Sequence, residues 1–316
     1  MKIIFLDAET FGEVPLLSSL KELGDLIIYP VTTPDQTLSR IHDADIVLTN
    51  KVVLDRAVLE KSTHLKLICV TATGINNVDV TFAQQRGILV KNAVGYAVDS
   101  VAQHTFTLLL ALQEQILYYD QYVKSGGYTQ SRTFTHLERE FRLLKGKRLG
   151  IIGLGDIGRG VAHIAEAFGM EVVYHSISGK QRPEKYKHVS WEDLLQLSDV
   201  ISVHSPLTEQ TRNLINAATL RQMKSTAILL NLGRGGIINE TDLAKAIDED
   251  QIAGAGLDVF EREPMTIQNP LLSVQKKHKL ILTPHIAWAA VETRERLMEI
   301  VIDHIRNFVR NGQMQQ

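Results

Sequence analysis

The 316-residue sequence lacks several features that define whole classes of protein. Its single cysteine, Cys69, cannot form an internal disulfide, and its place in the apolar run LKLICV is typical of a buried thiol in a reducing compartment. No stretch reaches the ~18 consecutive apolar residues that a membrane span needs, and the first residues, MKIIFLDAET, match a strand rather than an export signal. We therefore expect a cytoplasmic protein with no membrane partner.

An excess of charge of one sign is also missing. The formal net charge is -2, so the overall balance indicates neither a nucleic-acid partner nor binding to an anionic membrane surface. The histidines show no metal-ligand spacing, and the HEXXH and CxxC patterns are absent, so we expect no bound metal. The hydrophobic content of 44% is that of an ordinary globular protein, and the length suits about two domains of ~150 residues.

The segment 147–168, KRLGIIGLGDIGRGVAHIAEAF, predicts a strand, a tight turn and a helix. Gly153, Gly155 and Gly158 form the pattern GxGxxG. The first glycine permits the turn, the second lets a pyrophosphate approach the backbone, and the third lets the helix pack on the strand. The helix N-terminus then stabilises the anion. An ordinary glycine-rich turn is the alternative, but the strand before this turn and the helix after it favour a dinucleotide site.

The residue that should contact the adenosine ribose is unusual. An Asp or Glu is expected about 20 residues after the glycines, at the end of the next strand. That predicted strand, 171–175, ends at Ser176, and no carboxylate stands there. Lys180 and Arg182 follow closely, and their charges would suit the 2'-phosphate of NADP, although they can equally be solvated loop residues. Both NAD and NADP therefore stay open as the cofactor.

Apolar runs alternate with helix-like segments along most of the chain, which predicts two doubly wound α/β domains with mostly parallel sheets. Long helical segments are predicted at 99–124 and 291–310, before and after the second unit. The later one can return the chain to the first unit, which would make that unit discontinuous. Besides the strand before the glycines, the predicted strands are 3–6, 26–29, 46–49, 65–70, 88–91, 171–175, 200–204, 227–231, 252–257 and 280–283.

Polar side chains follow three late strands of the second unit, at the edge where a doubly wound sheet faces its cleft. Arg234 follows AILLN, Glu263 follows GLDVF and His285 follows LILTP. Together they suit the reduction of a 2-oxo acid: the guanidinium binds the carboxylate and the carbonyl oxygen, the imidazole supplies a proton, and the carboxylate stabilises the imidazolium. Each residue alone could be an ordinary loop residue. His104 and Trp288 are further cleft candidates, although packing is their more common role.

Five blocks of sequence, taken together, carry a specific likeness. They are GIIGLGDIGRGVA, SDVISVHSPLTEQTRNLIN, MKSTAILLNLGRGGIINETDLAKAI, GAGLDVFEREP and TPHIAWA. This combination resembles the D-isomer-specific 2-hydroxyacid dehydrogenases over almost the whole chain. The resemblance implies a Rossmann nucleotide domain, residues 99–287, inserted in a flavodoxin-like substrate domain, residues 1–98 and 288–316, usually in a homodimer. It also implies that Arg234, Glu263 and His285 are the catalytic residues, with His285 as acid or base.

The same resemblance implies further contacts. Backbone N–H groups of Thr73 and Gly74 would bind the substrate carboxylate, together with Arg234 and His285. The implied cofactor contacts, besides the three glycines and Ser176, are Asp156 and Ile157 at the pyrophosphate, Ser205, Pro206 and Thr211 on the adenosine side, and Leu232, Gly233, Arg234 and Asp258 at the nicotinamide.

Within the family, the segments TGINNVD, SVAQHT and PHIAWA are most similar to the glycerate dehydrogenases, also called hydroxypyruvate reductases. The resemblance therefore implies an NAD(P)-dependent oxidoreductase that interconverts hydroxypyruvate or glyoxylate and the corresponding D-2-hydroxy acid. Three alternatives stay open: a D-lactate or other D-2-hydroxyacid dehydrogenase, a phosphite dehydrogenase, and a dinucleotide-sensing protein similar to the co-repressors of this family.

Overall fold

The computed structural model describes residues 1–179 and 185–313, and the chain divides into two compact units. Unit 1 consists of Met1–Ala97 and Ala289–Gln316, and unit 2 of Val98–Trp288. The first unit is thus built from both ends of the chain. The assignment of substrate binding to unit 1 and nucleotide binding to unit 2 remains a prediction.

Unit 1 contains a five-stranded parallel sheet in the order β2-β1-β3-β4-β5. Its strands are β1 (Lys2–Phe5), β2 (Asp25–Ile28), β3 (Ile46–Thr49), β4 (Leu67–Val70) and β5 (Leu89–Asn92). This is the flavodoxin-like order. Every residue of β3 and β4 is buried, as expected for parallel strands that are covered on both faces. Cys69 lies in β4, and burial raises the pKa of its thiol to about 12.

Unit 2 contains a seven-stranded parallel sheet in the order β12-β11-β10-β9-β6-β7-β8. Its strands are β6 (Arg148–Ile152), β7 (Glu171–His175), β8 (Lys187–His188), β9 (Val200–Val203), β10 (Ile228–Asn231), β11 (Gly254–Leu257) and β12 (Leu280–Leu282). The order reverses between β6 and β9, as in a Rossmann fold, so ligands are expected at the carboxyl ends of these two strands. The predicted fold class, two doubly wound parallel-sheet domains, is confirmed.

Helices connect the strands in both units. The α-helices of the described residues are α1 (Leu17–Lys21), α2 (Pro34–Ile41), α3 (Arg56–Lys61), α4 (Val80–Gln85), α5 (Val98–Gln113), α6 (Ile116–Lys124), α7 (Asp156–Ala167), α8 (Trp191–Leu197), α9 (Ala217–Leu220), α10 (Glu240–Asp248) and α11 (Val291–Gln313). Short 3₁₀ segments span Ala8–Phe11, Gly127–Gln130, Pro270–Ser273 and Lys277–Lys279. Among the described residues, none of these helices has the length and apolar character that crossing a lipid bilayer requires.

One predicted helix is in fact two. The segment 99–124 was expected to be continuous, but α5 ends at Gln113 and α6 begins at Ile116. Gln115 adopts a left-handed backbone conformation, with φ of 52°, and its side-chain amide donates to the Leu112 carbonyl at 2.7 Å. Only Glu114 and Gln115 separate the two helices, and apolar residues stand on both sides of this short break. Hydrophobic periodicity therefore gave no sign of it.

Candidate active site

The glycine turn between β6 and α7 has the geometry that the sequence predicts. Gly153 has φ of 91°, and a Cβ there would lie 2.5 Å from the Ser205 hydroxyl oxygen, so only glycine fits. A Cβ on Gly158 would lie 2.6 Å from the Gly153 carbonyl oxygen, because the helix packs directly on the turn. A Cβ on Gly155 would meet no described atom within 4 Å other than those of its chain neighbours, and no side chain caps the start of α7. The first N–H groups of α7 are thus available to an anion.

A cleft of about 260 Å³ opens at this turn, within unit 2. It combines backbone of the glycine turn with side chains that follow β7 and β9. Six of the residues that the sequence singled out line it: Gly153, Gly155, Ser176, Ser205, Pro206 and Thr211. The sequence did not single out the other lining residues, which are Leu154, Tyr174, Ile177, Ser178, His204, Thr208 and Gln210. A mostly apolar cleft beside an anion site at a topological switch point suits an adenosine group.

Ser176 lines this cleft at the end of β7. Its backbone N–H donates to His188 Nε2 at 3.4 Å, and its hydroxyl lies 3.3 Å from that of Ser178. Within the described part of the chain, the lining of the cleft includes no Asp or Glu. Lys180 and Arg182, the predicted contacts to a 2'-phosphate, lie outside the described residues. The structure thus leaves the choice between NAD and NADP open.

His204 contributes a neutral ring to the cleft. Its Nε2 lies 2.7 Å from the Ser202 hydroxyl, and its Nδ1 is buried with no hydrogen-bond partner. Burial lowers the pKa of His204 to about 4, because the imidazolium would lose its hydration. The ring is therefore uncharged near pH 7 and adds no positive charge beside a cofactor phosphate.

Glu263 and His285, two of the predicted catalytic residues, are in direct contact. His285 Nδ1 lies 2.7 Å from Glu263 Oε2, and the other carboxylate oxygen accepts from the Phe260 N–H at 3.0 Å. Both side chains are about a quarter to a third exposed. His285 has φ of 55°, a left-handed conformation that costs a non-glycine residue ~1–2 kcal/mol. Contacts made by the surrounding loop must offset that cost. The backbone of His285 is therefore held in place by several interactions at once.

Arg234 lies on the loop after β10, next to the loop that carries Glu263. Its guanidinium donates to the Gly233 carbonyl at 2.8 Å. The buried Asn231 closes the loop, since its side chain accepts from Gly233 N and donates to the Arg234 carbonyl. A Cβ on Gly235 would lie 1.7 Å from the Phe260 carbonyl oxygen, so the loops after β10 and β11 are in backbone contact. Arg234 and Glu263 are thereby brought to one edge of the sheet.

Asp258 is only 1% exposed and binds the loop that contains His285. Its Oδ1 accepts from the Thr283 hydroxyl at 2.7 Å and from Ile286 N at 2.9 Å, and its Oδ2 accepts from Ala287 N at 2.9 Å. The family resemblance implies that Asp258 contacts the nicotinamide, and that contact remains a prediction. The structure adds a second role, because this carboxylate fixes both sides of His285.

The remaining predicted site residues lie in unit 1 or elsewhere in unit 2. Thr73 and Gly74 belong to unit 1 and follow β4, where the Thr73 carbonyl accepts from the Asn92 side chain at 2.6 Å. Asp156 and Ile157 form the first turn of α7, beside the cleft but not in its lining. Leu232 follows β10 and is buried.

The sequence of this site matches a known family. A family model described as "D-isomer specific 2-hydroxyacid dehydrogenase, NAD binding domain" matches residues 106–287. The chain belongs to the D-isomer-specific 2-hydroxyacid dehydrogenase family. This confirms the resemblance that the sequence motifs carry, and with it the expectation of an enzyme. It also identifies the segment with the glycine turn as the NAD-binding domain of this dehydrogenase family.

Relatives cover the whole dehydrogenase chain. A hydroxypyruvate reductase of Blautia hydrogenotrophica is 37% identical over 99% of this chain and 98% of its own. A glyoxylate reductase of Aeropyrum pernix is 37% identical over 96% of this chain and 92% of its own. Among solved structures, the D-lactate dehydrogenase of Aquifex aeolicus, complexed with NAD and lactic acid, superposes with a TM-score of 0.84 and 29% identity, covering 100% of this chain and 97% of that one.

The structure of this family member also shows a buried acid that the sequence analysis missed. Glu240, at the start of α10, accepts from Glu261 N at 2.7 Å and from the Asn269 side chain at 2.6 Å. It thereby fixes the loop on which Glu263 lies. The only signal in the sequence was an acid in the first turn of a helix, which usually stabilises the helix itself. Its partners lie 21 and 29 residues away, so the sequence gave no sign of this contact.

Proposed function

We propose that this family member is an NAD(P)-dependent reductase that interconverts a small 2-oxo acid and its D-2-hydroxy acid, with hydroxypyruvate and glyoxylate as the favoured substrates. The observation that carries the proposal is the Glu263–His285 pair, which lies beside the Arg234 loop at the carboxyl edge of the sheet that also holds the glycine turn. The printed functions of the relatives, a hydroxypyruvate reductase and a glyoxylate reductase, support the choice of substrate.

The side chains of unit 2 suit proton transfer to a carbonyl oxygen. A nicotinamide cofactor bound there would supply the hydride for reduction of the carbonyl carbon. Arg234 binds the substrate carboxylate and carbonyl oxygen through its planar guanidinium and so polarises the carbonyl. His285 uses Nδ1 for Glu263, which leaves Nε2 to donate a proton to the developing alkoxide. Glu263 stabilises the imidazolium and fixes the orientation of the ring.

The geometry of the cleft supports a dinucleotide as the cofactor. Gly153, Gly155 and Gly158 provide the turn, the open approach and the close packing that a pyrophosphate needs, with the N–H groups of Asp156 and Ile157 nearby. We propose that Ser205, Pro206 and Thr211 contact the adenosine, and that Leu232, Gly233, Arg234 and Asp258 border the nicotinamide. With Ser176 in place of an acid, no carboxylate repels a 2'-phosphate, so we propose that both NAD and NADP bind.

The carboxyl end of β4 offers a further anion-binding loop. We propose that the backbone N–H groups of Thr73 and Gly74 bind the substrate carboxylate. Gly74 has no side chain to hinder the approach of a small anion to the backbone.

An apolar surface on unit 2 supports the proposal of a homodimer. The segment 134–143 lies on α6, where the His136 ring stacks on Tyr122 at 3.7 Å. Yet Phe134, Leu137 and Leu143 are 88%, 75% and 75% exposed. An ordered segment that exposes several large apolar side chains is typical of a protein–protein interface.

Steady-state kinetics would test the proposed reaction. We would assay hydroxypyruvate, glyoxylate and pyruvate with NADH and with NADPH, and phosphite with the two oxidised cofactors. His285→Ala and Arg234→Gln are expected to lower kcat by at least ~100-fold while the cofactor still binds, as nicotinamide fluorescence would show. His42→Ala, at an exposed histidine of unit 1, is the control. Wild-type turnover in both active-site variants would refute the assignment, and turnover of phosphite alone would replace it.

A further inference from the structure

The loop from Thr283 to Ala287 carries His285 in a strained conformation and is held at both ends. The His285 N–H donates to the Thr283 carbonyl at 3.0 Å, which makes the turn tight. Asp258 accepts from Thr283, Ile286 and Ala287. These contacts come from the sheet side of the loop.

Helix α5 holds the same loop from a second side. The Ser100 hydroxyl donates to the Ala287 carbonyl at 2.6 Å, and His104 Nε2 lies 3.0 Å from the Thr283 hydroxyl oxygen. The two residues lie on one face of the helix, four positions apart. Helix α5 therefore contacts the residues on each side of His285 through polar side chains, in addition to its apolar packing.

The direction of these hydrogen bonds follows from the chemistry of the groups. Both Asp258 oxygens accept from backbone N–H groups of this loop, and Thr283 likewise donates its hydroxyl proton to Asp258 Oδ1 at 2.7 Å. The hydroxyl oxygen of Thr283 must then accept from His104, which places a proton on His104 Nε2. His104, Thr283 and Asp258 thus form a directed chain that ends on a buried carboxylate.

His104 is also the basic group that faces this carboxylate. Its Nε2 lies 3.8 Å from Asp258 Oδ1, and its side chain is 18% exposed. A buried carboxylate is stable only when hydrogen-bond donors surround it. The Thr283 hydroxyl is one of these donors, and His104 orients that hydroxyl by donating to its oxygen.

We propose that His104 is a positioning residue for the reduction: through Thr283 it holds the loop that presents His285 to the substrate. The inference rests on the proposed function, because it assumes that His285 is the proton donor. His104 itself binds neither substrate nor cofactor in this proposal. Its effect is on the alignment of the His285 ring, and a misalignment of about 1 Å can cost ~100-fold in rate.

The test compares His104→Leu with His104→Gln in the intact protein. Leucine fills the space without a donor, whereas the glutamine amide can still donate to the Thr283 hydroxyl. We expect His104→Leu to lower kcat for the preferred 2-oxo acid by about tenfold or more, with KM and cofactor affinity within about twofold of wild type. The solvent deuterium isotope effect on kcat should increase, because proton transfer becomes slower. His104→Gln should restore kcat to within about threefold of wild type.

Thr283→Val provides a second route to the same link, since it removes the hydroxyl at nearly constant volume. It should lower kcat as His104→Leu does. If His104→Leu fails to fold, the kcat of Thr283→Val tests whether the link through Thr283 holds the loop. Wild-type kcat in His104→Leu or in Thr283→Val would overturn the inference, and so would equal losses in His104→Leu and His104→Gln. If His285→Ala loses turnover while His104→Leu retains it, the inference alone fails. If His285→Ala retains turnover, the proposed function fails as well.

Discussion

At the scale of single residues, two histidines of unit 2 differ in their surroundings. His285 is part-exposed and paired with Glu263, whereas His204 lines the cleft and is kept neutral by burial. In the proposed reaction the same side chain donates a proton in one place, whereas in the other it is an uncharged part of the cleft lining. The structural difference is the partner: His285 Nδ1 lies 2.7 Å from a carboxylate oxygen, whereas His204 is buried without a carboxylate partner, which favours its neutral form.

The buried His204 should make stability depend on pH. Its pKa falls from 6.5 to about 4 on folding, so the unfolded chain takes up a proton that the folded chain refuses. The contribution of His204 to the free energy of unfolding is complete above about pH 6.5 and is lost as pH falls toward about 4. At pH 5 the part already lost is ~2 kcal/mol.

Urea unfolding at about pH 7.5 and about pH 5 would measure this effect. His204→Gln, which can still bond Ser202, should remove this part of the difference in unfolding free energy. His42→Gln, at an exposed histidine, is the control and should leave the difference unchanged. Equal pH dependence in wild type and His204→Gln would contradict the prediction.

At the scale of elements, the site residues that the sequence could predict are those at the ends of strands. Arg234, Glu263 and His285 each follow a short apolar run, and parallel strands end at one edge, so their proximity followed from the pattern. The links of His104 to Thr283 and of Glu240 to Glu261 could not be found in this way. Those contacts depend on side-chain directions between elements that are distant in sequence, which no local pattern records.

Element boundaries show the same division. Capping residues precede two helices where local chemistry favours them, Thr33 with Pro34 at the start of α2 and Asp79 at the start of α4. Strand β8 is only two residues long, too short for any period to show, and it was missed. The break between α5 and α6 was missed as well, because local capping chemistry was absent and Gln115 is an uncommon residue for a left-handed conformation.

The contact between α10 and the loop that carries Glu263 leads to a prediction about stability. Both oxygens of the buried Glu240 accept hydrogen bonds, so Glu240→Gln should place an amide NH₂ against one donor. We expect a loss of ~1.5–3 kcal/mol in the free energy of unfolding, measured by urea denaturation. Glu249→Gln, at the exposed end of the same helix, is the matched control. Equal stability of the two variants would show that the Glu240 carboxylate contributes nothing there.

At the scale of the whole molecule, the fold class followed from the alternation of strands and helices. Parallel strands buried on both faces read as continuous apolar runs, and the glycine turn indicated which sheet is expected to bind a nucleotide. The oligomeric state could not be derived from this pattern. Apolar residues that face a second subunit have the same spacing in sequence as apolar residues of a core.

The proposed dimer has a direct test in the exposed apolar side chains of segment 134–143. If Phe134 and Leu137 lie in an interface, the double substitution Phe134→Glu and Leu137→Glu would bury two unpaired charges and should dissociate the dimer. Sedimentation velocity would measure this, with Ile267→Glu, at an 83% exposed isoleucine, as the control that stays dimeric. A monomeric wild-type protein would refute the dimer itself. A dimer that survives the double substitution would move the interface to another surface, because two buried carboxylates cost more than such an interface can offset.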